Sequence, residues 1–294
     1  MGEFAQQVIN GLSLGSIYAL IALGYTMVYG IIQLINFAHG DVYMVGAYVG
    51  YFSMTTLRLG FFESLLIAMV ICMVLGVVIE RVAYKPLRNS TRIAVLITAI
   101  GVSLLLEYTM MFFVGAAVRS YPPLPDYLTG SFQVGGVTVG NQQVLIIGVS
   151  LLLMAILQLI VRRTRVGRAM RAVSQDADAA RLMGINVDNT ISFTFALGSA
   201  LAGAAGVLVG VYYNSINPLM GILPGLKAFV AAVFGGIGLI PGALIGGFFI
   251  GGVETFVSAA GQSLYKDAVV FGILIAILII KPTGLLGRNV KEKV

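Results

Sequence analysis

The sequence predicts an all-α fold, a polytopic helical membrane domain spanning residues 1–294, with about eight to ten transmembrane or partly spanning helices and some broken or re-entrant elements. Three observations predict it. Of 294 residues 59% are apolar and only 10% charged, with a mean hydropathy of +0.98, which leaves too little polar surface to cover a soluble globule. The apolar runs are continuous and long enough for spans of roughly 20 residues, unlike the short alternating segments of an outer-membrane barrel. The basic residues are gathered: Arg81, Lys85, Arg88 and Arg92 in one interval, six arginines in a central one, and Lys281, Arg288, Lys291 and Lys293 in the tail, fourteen of the eighteen. The positive-inside rule assigns those three regions to the cytoplasm. The net charge of +6 therefore marks one membrane face rather than a nucleic-acid surface.

The first apolar block, Phe4 to Leu57, is too long for one span and is interrupted at Asn36-Phe37-Ala38-His39-Gly40-Asp41, either as a tight turn or as a broken helix. Gly46-Ala-Tyr-Val-Gly50 offers a close-packing GxxxG face within it. Its opening, MGEFAQQ, lacks a basic n-region, and Gln6 stands where a myristoylation motif has Ser or Thr, so the first span reads as an uncleaved signal. A span from Ser64 to Glu80 leads into a short cytoplasmic turn containing Pro86 and Asn89-Ser90, and Ile93 to Val114 crosses back carrying Glu107. Residues 115–143 form the main external loop, because Tyr121-Pro-Pro-Leu-Pro125 cannot be a helix interior and Gly135-Gly136 and Gly140-Asn141 mark turns.

Val144 to Val161 returns to the cytoplasm. The central interval, residues 162–189, RRTRVGRAMRAVSQDADAARLMGINVDN, is the longest charged stretch in the chain and reads as a cytoplasmic loop that a partner protein grips. Val166, Met170, Val173, Ala177 and Ala180 recur at helical spacing, while Arg168, Arg171, Gln175 and Asp178 share another face. Ser174 is placed to cap a new turn, with Asp176 and Asp178 near its positive end, Arg181 near its negative end and Gly184 to stop it. Two short helices meeting near Ser174 are expected.

Ile191 to Tyr213 then crosses outward, and Asn214 to Gly225 is a second Pro/Gly break. Gly238, Gly242 and Gly246 are spaced four apart, as are Gly247 and Gly251, which predicts close helix approach with a kink at Pro241. Asp267 to Ile280, extended by Gly261 to Lys266, is the last span, and Lys281-Pro282 ends it before a cytoplasmic tail, residues 282–294.

Catalytic machinery is missing. There is no GxxxxGK[ST] and no Gly followed by Lys, so any nucleotide hydrolysis must come from another polypeptide. Gly236-Ile-Gly238-Leu-Ile-Pro241 fails as a dinucleotide fingerprint, since Pro241 replaces the third glycine. His39 is the only histidine and Cys72 the only cysteine, which excludes a His/Cys metal site and an intrachain disulfide. No cofactor is expected. His39 and Asp41 either hold the turn through a local hydrogen bond or belong to a broken helix that lines a substrate path with Asn36, Phe37 and Gly40. Glu107 and Glu254 are further candidates for that path, since a charge at mid-bilayer costs roughly 2.5–3.5 kcal/mol. Glu107 lies about 22 Å along its helix from Arg92 at roughly 1.5 Å per residue. Both glutamates stand between an interfacial anchor and a lining residue.

Four stretches carry a resemblance: Gly15-SIYALIALGYTMVYG-Ile31, Ile35-NFAHGDVYMVGAY-Val49, Gly167-RAMRAVSQDADAARLMGI-Asn186 and Leu226-KAFVAAVFGGIGLIPGALIGG-Phe248. Over nearly its whole length the chain resembles the LivH-type permease subunits of bacterial branched-chain amino acid ABC importers. The resemblance implies an ABC importer permease architecture in the bacterial inner membrane. It also implies that Gly167, Arg168, Arg171, Asp176, Ala180, Arg181 and Gly184 form a coupling segment seated in a groove on a cytoplasmic ATPase. The partners it implies are a homologous second permease subunit, two cytoplasmic ATPase subunits and a periplasmic binding protein carrying leucine, isoleucine or valine. Related permeases for urea or short amides look similar. The function expected is that of a transport subunit rather than an enzyme. The alternative left open by the residues is an ion-coupled secondary transporter using Asp41, Glu107 or Glu254, while an intramembrane enzyme built on His39 and Asp41 lacks a nucleophile or metal set.

Overall fold

The computed structural model describes residues 2–33, 36–88 and 90–287. Asn89 and the tail residues Arg288, Lys291 and Lys293 lie outside the described residues, as does the side chain of Arg92. The chain runs through α1 (Gly2–Ile32), α2 (His39–Thr55) and α3 (Phe61–Ile79), which continues as a π-helical turn, Glu80–Tyr84, and a 3-10 turn, Lys85–Leu87. It goes on through α4 (Arg92–Val114), β1 (Arg119–Ser120), α5 (Asp126–Thr129), β2 (Ser131–Val134), β3 (Val137–Gly140) and α6 (Asn141–Arg163). Then follow α7 (Arg165–Gln175), α8 (Ala177–Leu182), α9 (Val187–Tyr213), β4 (Ser215–Ile216), α10 (Ile222–Gly235), α11 (Ile240–Ala259) and α12 (Lys266–Ile280). Among the described residues seven helices are long and apolar enough to cross a membrane; with the shorter α2 and α10 the total falls within the eight to ten expected.

α1 and α9 are the inner helices, buried along most of their length. α1 packs against α11 and α9, and α9 packs against α2 and α3. α4 and α12 lie outside and turn Ile97, Leu105, Phe112, Phe113, Ile279 and Ile280 outward, as side chains facing lipid tails can. The inner helices approach backbone to backbone. A Cβ on Gly15 would stand 2.8 Å from Phe248 Cα, and one on Gly203 would stand 2.9 Å from the Ala68 carbonyl oxygen. At Gly206 it would overlap the Tyr43 carbonyl, and at Gly247 the Ala19 backbone. The glycine spacing read from the sequence is therefore the α11 surface that receives α1 and α10.

Pro241 does not kink a helix, contrary to the expectation. It sits in the first turn of α11, where its missing N–H has no intrahelical partner to lose. The chain breaks instead at Gly236 and Gly238, with φ of 109° and 91°. At the second break α10 begins at Ile222, so Pro224 likewise falls in a first turn. Gly135 and Gly136, with φ of 57° and 82°, make the two-residue turn joining β2 to β3. β1 pairs antiparallel with β4 and carries the chain to Tyr121, whose ring lies where a side chain on Gly210 would sit. Burial pushes the Tyr121 phenol pKa up, so it stays protonated.

The N-terminal end of α1 lies beside the β2–β3 hairpin, where Gln6 Oε1 accepts from the Thr138 N–H at 3.0 Å and Gln143 donates to Asn10 at 2.7 Å. This hairpin end stands opposite the basic end, where α7, α8 and the segment after α3 lie.

The close approaches set a testable contrast. Gly206→Val is expected to destabilise the bundle by about 1–3 kcal/mol through overpacking. Gly101→Ala and Gly148→Ala, where an added Cβ meets nothing within 4 Å, should stabilise it by about 0.5–1 kcal/mol each. Thermal unfolding in detergent reads both.

Candidate functional site

At the basic end α7 folds back on the end of α6. Thr164 Oγ1 accepts from the Gly167 N–H at 3.0 Å, capping α7. A side chain on Gly167 would overlap the carbonyls of Ile160 and Val161, and the Arg171 guanidinium donates to the Val161 carbonyl. Gly167, Met170, Val173 and Ala180 form the buried stripe, while Val166, expected in it, is exposed. The two helices meet two residues later than expected. Asp176 has extended backbone and caps α8, its Oδ1 accepting from Asp178 N at 2.9 Å and Ala179 N at 2.8 Å. Ser174, inside α7, only donates to the Arg171 carbonyl.

Gly184, at φ 83°, ends α8. Its N–H bonds the Arg181 carbonyl and that of Ile185 bonds the Ala180 carbonyl, both at 3.0 Å, the pairing of a Schellman cap. Arg168 and Arg181 face outward. Arg181 and Asp178, 3.5 Å apart and exposed, contribute about 0–1 kcal/mol. Just beyond, Leu182 and Met183 are 89% and 82% exposed, an apolar tip on a charged unit.

A buried ionic clamp, absent from the sequence reading, joins the turn after α3 to the start of α9, the helix that follows this unit. Glu80, fully buried after α3, takes a hydrogen bond from Arg88 on one oxygen and from Ser192 at 2.6 Å on the other. Arg88 also reaches Asp188 at 2.6 Å, and Lys85 reaches it at 2.8 Å. Asp188 and Ser192 belong to the start of α9. The loop after α3 and the segment leaving α8 are thereby locked together.

The interruption after α1 is a helix break. His39 and Asp41 both lie in the first turn of α2, where residues two apart do not face each other, and the expected His39–Asp41 hydrogen bond does not form. His39 fills the space left by Gly24 and lies edge-on to Tyr25 at 4.7 Å. Asp41 accepts from Ser103 on α4 through one oxygen, has no hydrogen-bond partner for the other, and feels the charge of Glu107. Gly40 lies against Gly221 and Gly225. A cavity of about 150 Å³ opens here, lined by Tyr25, Phe37, Asp41, Ser103 and Gly225. Asn36 turns away and accepts from Tyr84 at 2.8 Å.

Glu254 stands apart from that group. It is buried with Lys227, a lysine that the sequence reading passed over. Glu254 Oε1 lies 2.9 Å from Lys227 and 3.0 Å from Lys266, Oε2 accepts from Tyr18 at 2.7 Å, and Lys227 also meets Asp267 at 2.6 Å. These residues line a cavity of about 450 Å³ at the hairpin end. A cavity of about 520 Å³ lies at the basic end, lined by Tyr29, Gln33, Ile237 and Thr283 among others. Among the described residues no three His, Cys, Asp or Glu side chains converge as a metal site would require.

A family model described as the permease component of branched-chain amino acid transport systems matches residues 7–278. The chain belongs to that family. It is 45% identical to the high-affinity branched-chain amino acid transport system permease protein BraD of Pseudomonas aeruginosa, over 99% of this chain and 98% of that protein. It is 46% identical to LivH of Escherichia coli K12, a permease protein of the same description, over the same shares. The solved structure of PsaBC from Streptococcus pneumoniae in complex with Fab superposes with a TM-score of 0.51 over 93% of this chain and 91% of that one. At 11% identity that match bears on the fold alone. The permease is a multi-pass membrane protein, a transport component rather than an enzyme, and other components of a transport system act with it.

Two outcomes follow for the permease. Glu254→Ala leaves Lys227 and Lys266 facing an empty place and should cost about 3–5 kcal/mol, with Glu254→Met/Lys227→Met recovering most of it in the same melting assay. Asp176→Ala should weaken α8 by about 0.5–2 kcal/mol, read as faster amide exchange at Asp178 and Ala179.

Proposed function

We propose that this chain is the inner-membrane permease subunit of an ATP-driven importer of leucine, isoleucine and valine. Beside it work a homologous second permease chain, two cytoplasmic ATPase subunits and a periplasmic amino-acid-binding protein. The relatives' descriptions as branched-chain amino acid permeases favour these solutes over urea or short amides. The observation that carries the reading is the capped pair α7–α8, left exposed at the basic end with an apolar tip at Leu182 and Met183. The positive-inside rule puts that end in the cytoplasm, so the pair faces the compartment where ATP is found.

The residues divide the work. Arg168, Arg181, Leu182 and Met183 meet the ATPase, while Asp176, Ala180 and Gly184 hold the shape presented to it. Gly167 and Arg171 join α7 to α6, and the Glu80–Arg88–Asp188 clamp joins the turn after α3 to the start of α9, the helix that follows the unit. Closure of the ATPases on α7–α8 then reaches the bundle by two rigid routes. The solute path runs between the cavities at the two ends. Glu254 belongs to the hairpin-end cavity and Phe37 and Asp41 to the smaller cavity at the helix break, with Gly40 and Glu107 acting there through Asp41. His39 and Asn36 hold the break itself.

Pulldown of the ATPase from membranes tests this. Leu182→Asp/Met183→Asp and Arg168→Ala/Arg181→Ala should each lose association and uptake while membrane insertion persists. Arg171→Ala should keep association but uncouple ATP hydrolysis from uptake. Undiminished association in both double variants would contradict the docking assignment.

A further inference from the structure

The hairpin-end cavity has the chemistry of a head-group site. Its charged wall holds two ammonium groups, Lys227 and Lys266, and two carboxylates, Glu254 and Asp267, with a net charge of zero. The four are not equally available. Lys227 and Glu254 are buried against each other, and Glu254 is further filled by Tyr18. Lys266 and Asp267, neighbours in the chain at the start of α12, are 34% and 36% exposed. Each is tied by one contact to the buried member of opposite sign, so each keeps capacity for a second partner.

A further group points to a ligand. Tyr43 lies on α2, fully buried, and lines the same cavity, yet its hydroxyl has no hydrogen-bond partner. A buried hydroxyl left unpaired costs free energy, and a solute acceptor in the cavity would satisfy it. The rest of the wall mixes apolar side chains, Leu14, Val209, Met220 and Leu223 among them, with Tyr213, Ser215 and Asn217. The volume, about 450 Å³, falls within the roughly 300–1,000 Å³ of small-molecule sites.

We propose that this cavity is a transit site for an α-amino acid, recognised by its zwitterionic head group. The solute carboxylate meets Lys266 and the Tyr43 hydroxyl, the ammonium meets Asp267, and the side chain lies on Leu14, Val209, Met220 and Leu223. Charge favours this class of ligand. A zwitterion leaves the partly dehydrated cavity neutral, whereas a lone anion or cation would leave an uncompensated charge there. The inference rests on the importer reading above and adds to it the residues that read the head group.

The test uses the complete importer in nanodiscs, both permease chains with their ATPases and no binding protein, and radiolabelled leucine in equilibrium dialysis. Isocaproate, which lacks the ammonium, and isoamylamine, which lacks the carboxylate, serve as competitors. Leucine should bind to the wild-type complex and both analogues should compete poorly. Tyr43→Phe should weaken binding roughly threefold to tenfold and Asp267→Asn roughly tenfold to a hundredfold. Tyr43→Phe removes only an unpaired hydroxyl, so its unchanged melting temperature separates binding from folding. Wild-type affinity in both variants, competition by isocaproate equal to that of leucine, or no leucine binding at all would overturn the site and leave the quartet a structural tie. Uptake by the wild-type importer supplied with binding protein and ATP separates the two readings. Uptake without these effects overturns the site alone, and absent uptake overturns the importer reading with it.

Discussion

Lipid tails are as apolar as leucine, so no hydrophobic force draws membrane helices together, and association relies on van der Waals packing and interhelical hydrogen bonds. The constraint met here is direct backbone contact between α1 and α11 and between α2 and α9, made at Gly15, Gly247, Gly46, Gly203 and Gly206. Because those contacts bury α1 and α9 almost throughout, the groups they carry inward must be satisfied within the bundle. That places Tyr18 on Glu254 and Ser192 on Glu80. It also lets α2 start against α1 and α10, with His39 seated on Gly24 and Gly40 on Gly221. Larger residues at these glycines would push the helices apart and open both ionic networks to solvent or lipid.

The two networks sit at opposite ends of the bundle and suit different tasks. At the basic end Glu80 is fully buried and saturated by Arg88 and Ser192, which joins the turn after α3 to the start of α9, the helix that follows α8. At the hairpin end the quartet is half open, with Lys266 and Asp267 still partly exposed. A buried ion pair is weak support for stability, since desolvation offsets most of the attraction. Its contribution here lies in which helices it ties together: the turn after α3 to α9 at one end, and α1, α10, α11 and α12 at the other.

The parts legible in the sequence were those set by local rules. The Pro/Gly breaks, the turn glycines and the two-helix shape of residues 162–189 all follow from neighbours a few positions apart. Where two residues satisfied one rule equally, the sequence could not choose. Ser174 and Asp176 are both good caps, and only the extended backbone at Asp176 selects it. Pro241 suits a kink or a first turn, and the break at Gly236 and Gly238 decides for the first turn. The His39–Asp41 pair was a failure of geometry, since a separation of two along a helix points side chains apart. The ionic partners were out of reach because they are joined by folding. Arg88 and Asp188 lie 100 residues apart, and Lys227 and Glu254 lie 27 apart. Within an apolar run Lys227 gave no sign of its partner.

The proposed function is that of a conduit driven by partner ATPases, so its most direct test is energetic. Radiolabelled leucine uptake should be measured in proteoliposomes holding either this chain alone or the full assembly with binding protein and ATPases. The account predicts uphill accumulation only in the full assembly and only with ATP, unaffected by collapsing ion gradients. Uphill uptake by the chain alone, or uptake driven by an ion gradient without ATP, would contradict it.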